Sequence, residues 1–279
     1  DRLERAGYRV KMMPTVTGNY GFFSGTDAER ARDINALFHD DDVKAIICLN
    51  GGYGSARILD KLDYEYIASH PKLVVGFSDV TALQIALWEK CHLVTANGPL
   101  MVTLGGSDAY TAGQFFKGLT TDAWQGPLAL PAGRKLTTVV PGQAEGPIVG
   151  GNLTVLTSLV GTPYALDGTG CILVLEDTGE DAYRIDRMLN QLWQSGLLSR
   201  VAAIAYGDFT DCPNDPGDFT TDQVLDYYAH LAGKPAIKGL PVGHTKDKAF
   251  VPYGVKVRLD ADGEGASLTF IDVCGIRPL

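Results

Sequence analysis

The stretch Lys72-Leu-Val-Val-Gly-Phe-Ser-Asp-Val-Thr-Ala-Leu83 decides how the rest of the chain is read. Leu73–Val75 is an apolar run with no polar face, the pattern of a strand covered on both sides. The run ends at Gly76-Phe-Ser-Asp79, and Val80–Cys91 then reads as an amphipathic helix. The same order of events occurs upstream. Val43–Leu49 (VKAIICL) is a second apolar run, it meets Asn50-Gly-Gly-Tyr-Gly-Ser55, and Ala56–Leu62 reads as helix. Two strand-turn-helix units in succession predict a parallel sheet with helices on its faces.

Working outward, Thr26-Asp-Ala-Glu29 has the spacing of a capping box and opens a helix to Phe38, with Ala31, Ile34, Leu37 and Phe38 on one side. The first residues read as the tail of a helix ending at Gly7, with Tyr8–Met12 extended; no charged-then-apolar leader opens the sequence. Glycine and proline crowd residues 104–145. The expected organisation is therefore an N-terminal parallel-sheet α/β domain over 1–125, a linker over 126–145, and a second domain over 146–279. In the last part, Cys171–Leu175 and Val201–Ala205 read as strands and Leu153–Val160, Ala182–Gln194 and Thr221–Leu231 as helices. Val255–Leu259 and Ser267–Ile271 read as late antiparallel strands, which makes the second domain a mixed-sheet α/β unit.

The 279 residues carry 24 Lys+Arg against 33 Asp+Glu, a net charge of −9. With no basic run, this balance argues against nucleic-acid binding. No apolar stretch reaches the roughly 18 residues of a membrane span, so no membrane partner is expected. The five cysteines (Cys48, Cys91, Cys171, Cys212, Cys274) are scattered and form no CxxC pair. They read as reduced thiols of a cytoplasmic protein, not as a disulfide frame or a metal site.

Ser78 is the sharpest chemical candidate. A serine at a tight strand-to-helix turn is lifted out of the sheet beside the free N–H groups of the next turn, which can hold an oxyanion. Position 80 is Val, so G-x-S-x-G is matched only in part, and a plain helix N-cap is the competing and commoner use of such a serine. The glycine turn 50–55 lies at another strand's C-terminal end, where backbone N–H groups approach a ligand closely; a tight turn without a ligand is the alternative. Hydrolysis by serine needs a histidine and a carboxylate to orient it. His39, His70, His92 and His230 have ordinary surface or helix-end explanations. His244 differs, because it leaves the apolar segment Leu240-Pro-Val-Gly243 and enters the polar loop Thr-Lys-Asp-Lys248. Glu176 and Asp177 end a buried strand, where an acid is costly unless solvated or paired.

Taken together, these segments resemble the LD-carboxypeptidase family of serine peptidases. The resemblance runs in order through Gly25–Asn35, Gly51-Gly-Tyr-Gly-Ser-Ala-Arg57, Leu62–Lys72, Gly76-Phe-Ser-Asp-Val-Thr-Ala-Leu83, Glu145–Leu153, Gly161-Thr-Pro-Tyr164, Leu175–Glu180, Tyr183–Met188 and Leu240-Pro-Val-Gly-His244. It implies a Ser78–Glu176–His244 triad with the active site between two domains, and oxyanion donors at the backbone N–H groups of Gly52 and Asp79. It also implies a homodimer and no metal or cofactor. Two departures stand out. Position 50 is Asn where many members carry Arg, and members usually begin with a further strand ahead of this chain's first residue.

The resemblance implies a carboxypeptidase cutting an L–D amide at a peptide's free C-terminus, with a murein peptide as partner and D-Ala released from murein tetrapeptide in cell-wall recycling. Arg57, Arg184 and Lys246 are the candidates for pairing the substrate carboxylate, each with a solvated surface charge as its plainer reading. A microcin-C-type peptidase acting on aminoacyl-nucleotides is the alternative within the family. The compact 171–184 segment leaves little room for the inserted loop of that type. A non-catalytic module binding an anionic ligand in the glycine turns is the alternative outside it.

Overall fold

The computed structural model describes residues 2–121, 124–262 and 265–271. Two sheets carry the fold. The first contains β1 (Ala45–Ile47), β2 (Leu73–Gly76) and β3 (Thr95–Asn97), paired in parallel in that order. Its fourth member is β10 (Val251–Tyr253), which joins β3 antiparallel from far along the chain. The second sheet has eight strands. Its centre is β6 (Gln143–Asn152), β7 (Ile172–Thr178), β8 (Ala203–Thr210) and β9 (Ala236–Lys238), all parallel. On one side β11 (Lys256–Asp260) and β12 (Ser267–Phe270) follow antiparallel, as the late strands were expected to. The chain is thus an α/β protein with one mostly parallel and one mixed sheet.

The stretch 126–145, expected as a linker, carries strand in three places. β4 (Gly126–Pro127) pairs with β12 at one edge of the second sheet, and β5 (Thr137–Val140) pairs with β9 at the other. The start of β6 falls in the same stretch. Its glycines and prolines punctuate short edge strands, where proline is tolerated because one side of the strand is unpaired.

Several local readings hold in detail. Thr26 and Glu29 form both bonds of the capping box that opens the helix Asp27–His39. The helix Ala182–Gln194 matches its expected bounds. The helix expected over Ala56–Leu62 is a 3-10 helix over Ser55–Lys61. Tyr8–Met12 joins no strand. The helix Thr81–Cys91 departs from expectation in a telling way. Every residue from Thr81 to Leu87 is buried, so the helix has no solvent face over those turns. Its leucines share one core with Val149, Leu153 and Leu156 of the second unit, which packs against the side that solvent would otherwise occupy. The helix following Ser78 is therefore wedged between the two sheets. Among the described residues, no helix is long and apolar enough to cross a membrane.

Candidate active site

Ser78 lies two residues beyond the end of β2 and has a φ of 63°. This left-handed conformation costs a residue with a side chain about 1–2 kcal/mol. In return the turn is sharp enough to hold the hydroxyl above the end of the sheet. Ser78 is not a helix cap: Phe77 flanks the turn Ser78–Val80, which has no side-chain cap bond. The hydroxyl instead lies 3.0 Å from His244 Nε2.

The glycine turn closes over this serine. A Cβ at Gly51 would stand 3.0 Å from Ser78 Cβ and 3.2 Å from its Oγ, so any larger residue there would have to push the serine aside by a few tenths of an ångström. The two turns are bolted together by Asp79, a buried side chain whose Oδ2 accepts the Ser55 N–H at 2.8 Å. Asp79's own N–H is in the first turn of a helix and has no carbonyl of that helix to reach.

His244 arrives from the second unit. Its Nδ1 lies 3.0 Å from Glu176 Oε2, and its ring meets the Phe77 ring edge-on at 5.0 Å. The preceding Gly243 has a φ of 130°, and a Cβ there would come within 3.1 Å of Glu176 Oε2. With Nδ1 protonated, the imidazole donates to the carboxylate and accepts from the serine hydroxyl. Glu176 is fully buried near the end of β7, opposite Asn152 of β6. Burial pushes its carboxyl above the usual range, and the bond to His244 pulls it partly back.

The neighbouring acid has a different task. Asp177 accepts from Asn152 Nδ2 and Thr154 N at 2.9 Å and from Thr154 Oγ1 at 2.8 Å. It fixes the start of the helix Leu153–Ser158. Thr81 ties the two units together nearby, its hydroxyl accepting the Asn152 N–H at 3.0 Å. Ser78, His244 and Glu176, expected from three distant segments, thus form one hydrogen-bonded chain, with the glycine turn and Asp79 beside it.

The candidate cations fare differently. Arg57 forms a two-pronged pair with Asp27, from Nη2 at 2.8 Å and Nε at 3.1 Å. Hydrogen bonds from Arg57 and then Arg30 hold the Asp27 carboxyl down at about 2. Arg184 bonds the Tyr183 hydroxyl at 3.1 Å and has Asp181 and Glu180 at 3.4 and 3.8 Å. Lys246 is exposed, two residues beyond His244, and among the described residues has no carboxylate within ion-pairing distance.

Two features escaped the sequence reading. Lys248 is buried, with its ammonium 5.0 Å over the Phe77 ring and bonded to the Thr245 carbonyl. Burial pulls it below the usual lysine range. A lysine in a polar loop gives no hint of this. The second is an aromatic cluster bordering the glycine turn, exposed Phe22 and Tyr53 around half-buried Phe23, with ring centroids 4.5–6.0 Å apart. The run Tyr20-Gly-Phe-Phe23 in a glycine-containing loop was the available signal.

A buried acid, an imidazole and a strained serine in line, set between two α/β units, is an arrangement suited to acyl transfer. The pattern of the LD-carboxypeptidase N-terminal domain matches residues 1–98, and that of the LD-carboxypeptidase C-terminal domain matches residues 145–259. The chain belongs to the LD-carboxypeptidase family. It is 38% identical to the probable murein peptide carboxypeptidase of Bacillus subtilis over 92% of this chain and 82% of that one. It is 30% identical to the microcin C7 self-immunity protein MccF of Escherichia coli over 96% of this chain and 86% of that one. Among solved structures, it superposes with a TM-score of 0.83 on muramoyltetrapeptide carboxypeptidase from Oxalobacter formigenes, at 33% identity over 97% of this chain and 92% of the other.

Proposed function

We propose that the protein is a serine carboxypeptidase that cuts the L–D amide at the free C-terminus of murein tetrapeptide and releases D-Ala. The observation that carries this reading is the chain Ser78 Oγ to His244 Nε2 to Glu176, two contacts of 3.0 Å each. The substrate class follows the names of two relatives, the muramoyltetrapeptide carboxypeptidase of Oxalobacter formigenes and the probable murein peptide carboxypeptidase of Bacillus subtilis.

In this reaction His244 Nε2 takes the Ser78 proton as Oγ attacks the scissile carbonyl, and Glu176 holds the imidazolium that forms. The backbone N–H groups of Asp79 and Gly52 receive the oxyanion. His244 then gives its proton to the departing D-Ala amine. Water, deprotonated by the same nitrogen, cleaves the Ser78 ester and frees the tripeptide. No step calls on a metal or cofactor. The substrate carboxylate is assigned to Lys246, because Arg57 and Arg184 already face carboxylates of this chain. Four described cysteines are free, which supports a reducing, cytoplasmic setting; Cys274 lies outside the described residues. The homodimer implied by the family resemblance belongs to the same reading.

The test offers the protein murein tetrapeptide and an aminoacyl-sulfamoyl adenosine in parallel, assaying D-Ala and free amino acid. Release of D-Ala from the first is the expected result. Cleavage of the second alone would make the enzyme microcin-C-type, and binding of either without turnover would make it a binding module. Lys246→Ala is expected to raise KM for the tetrapeptide about tenfold, the loss of one charge-assisted contact, with kcat within about twofold. An unchanged KM would remove Lys246 from the carboxylate site.

A further inference from the structure

The backbone of the loop that carries His244 is gripped from the other half of the molecule by the Thr111 hydroxyl, beside the Asp108–Asp247 side-chain contact. Thr111 lies in the first turn of the helix Ala109–Thr120 and is 1% exposed. Its Oγ1 accepts the Lys248 N–H at 2.9 Å and donates to the Lys246 carbonyl at 3.1 Å. Its own N–H is held at 2.7 Å by the capping carboxylate of Asp108, so the helix start fixes where the hydroxyl stands. The base of the loop is closed by Ala249 N–H on the Pro241 carbonyl at 2.7 Å. Between that closure and His244, Thr111 is the side chain outside the loop that grips its backbone on both sides of Asp247.

We propose that Thr111 is a positioning residue for His244. A hydroxyl both gives and takes a hydrogen bond, and here it uses each on a different peptide of the same loop. Without it, the buried Lys248 N–H loses its acceptor and the Lys246 carbonyl loses its donor, so the loop re-seats to recover them. His244 stands at the loop's head, with two 3.0 Å contacts that tolerate little displacement. A shift of about 1 Å in a reacting group costs on the order of 100-fold in rate. The clamp also explains how the second unit's base is registered on the first unit's serine. Thr81 fastens Asn152 at the end of β6, and Thr111 fastens the loop that follows His244. The inference rests on the triad reading given above.

The test compares Thr111→Val, which keeps the shape and removes the hydroxyl, with Thr111→Ser, which keeps the hydroxyl. For Thr111→Val, kcat on the tetrapeptide is expected to fall 10- to 100-fold with KM within twofold. Thr111→Ser is expected to stay within about threefold of the parent. A second readout needs no substrate: the low-field proton resonance of the His244 Nδ1–H bond to Glu176, retained in Thr111→Ser and lost or displaced in Thr111→Val. If the parent cleaves no tetrapeptide, the substrate reading fails while this resonance still decides the clamp. An unmoved kcat and resonance in Thr111→Val would overturn the proposal, as would equal losses in both variants. Should Thr111→Val not fold, Thr111→Ala carries the same comparison. If neither folds while Thr111→Ser does, the hydroxyl serves folding and the proposal is overturned.

Discussion

Replacing Ser78 by alanine is expected to lower kcat/KM by about 10⁴-fold or more, because the substitution removes the attacking atom and leaves the oxyanion donors and binding contacts in place. KM is expected to stay within a few fold, and the protein to remain folded, since one hydroxyl with a single partner is lost. A companion variant separates chemistry from strain. Ser78 holds a φ of 63°, which glycine adopts without steric cost. Ser78→Gly is therefore expected to be as inactive as Ser78→Ala yet more stable than it, by about 1 kcal/mol once glycine's larger unfolded-state entropy is subtracted. Steady-state kinetics and urea titrations of the three proteins read both effects. Ser78→Ala retaining more than a few per cent of the parent rate, or Ser78→Gly gaining nothing over Ser78→Ala, would remove the strained nucleophile from the account.

The second large effect concerns Glu176. Glu176→Gln keeps the side chain's size but replaces the acceptor facing His244 Nδ1 with an amide that can present its N–H₂ there. The imidazole then favours the tautomer with its proton on Nε2, where it cannot accept from Ser78. A loss of about 10³- to 10⁴-fold in kcat is expected. Stability is expected to move the other way at higher pH. Burial raises the Glu176 carboxyl above its ordinary 4.5, so between 4.5 and the raised value the folded state holds a proton that the unfolded state has released. Stability contributed by this group is then fully present below about 4.5 and falls as pH rises through the folded value. The glutamine variant lacks this loss. Its melting temperature, compared with the parent's, is expected to improve as pH rises above 4.5. A difference that stays constant as pH rises from 4.5 upward would mean that Glu176 is not held as a costly buried acid.

How much of this was readable in advance depended on whether the determinants were local. The strand Leu73–Gly76, the turn at Ser78 and the capping box at Thr26 and Glu29 are written in a few adjacent residues, and the structure reproduces them. The site's three side chains were singled out individually by strand-end or loop positions and joined by family resemblance. Their hydrogen bonds, between residues up to 166 positions apart, follow from tertiary packing. The missed pieces are those whose role comes from distant partners. Pro252 sits inside β10 and argues against a strand, yet the segment pairs along the edge of β3, where the lost N–H is tolerated. The helix Thr81–Cys91 looked amphipathic because Thr81 and Gln84 are polar. Both are buried and hydrogen-bonded, Thr81 to Asn152 N–H and Gln84 Nε2 to the Gly76 and Ala96 carbonyls. Lys248 gave no sign of burial, since the faces that enclose it come from other elements.

β10 also bears on how the chain reaches its native state. As the protein emerges from the ribosome, β1, β2 and β3 can assemble early, but one edge of β3 has no neighbour until Val251–Tyr253 appear, after six of the eight strands of the second sheet have been made. For that interval the nascent chain presents an unpaired strand edge, the kind of template on which other chains add. The nucleophile's own sheet is thus sealed only after the chain has passed through most of the second sheet. A ribosome-bound chain stalled before residue 251 would be the form of this protein most dependent on a chaperone.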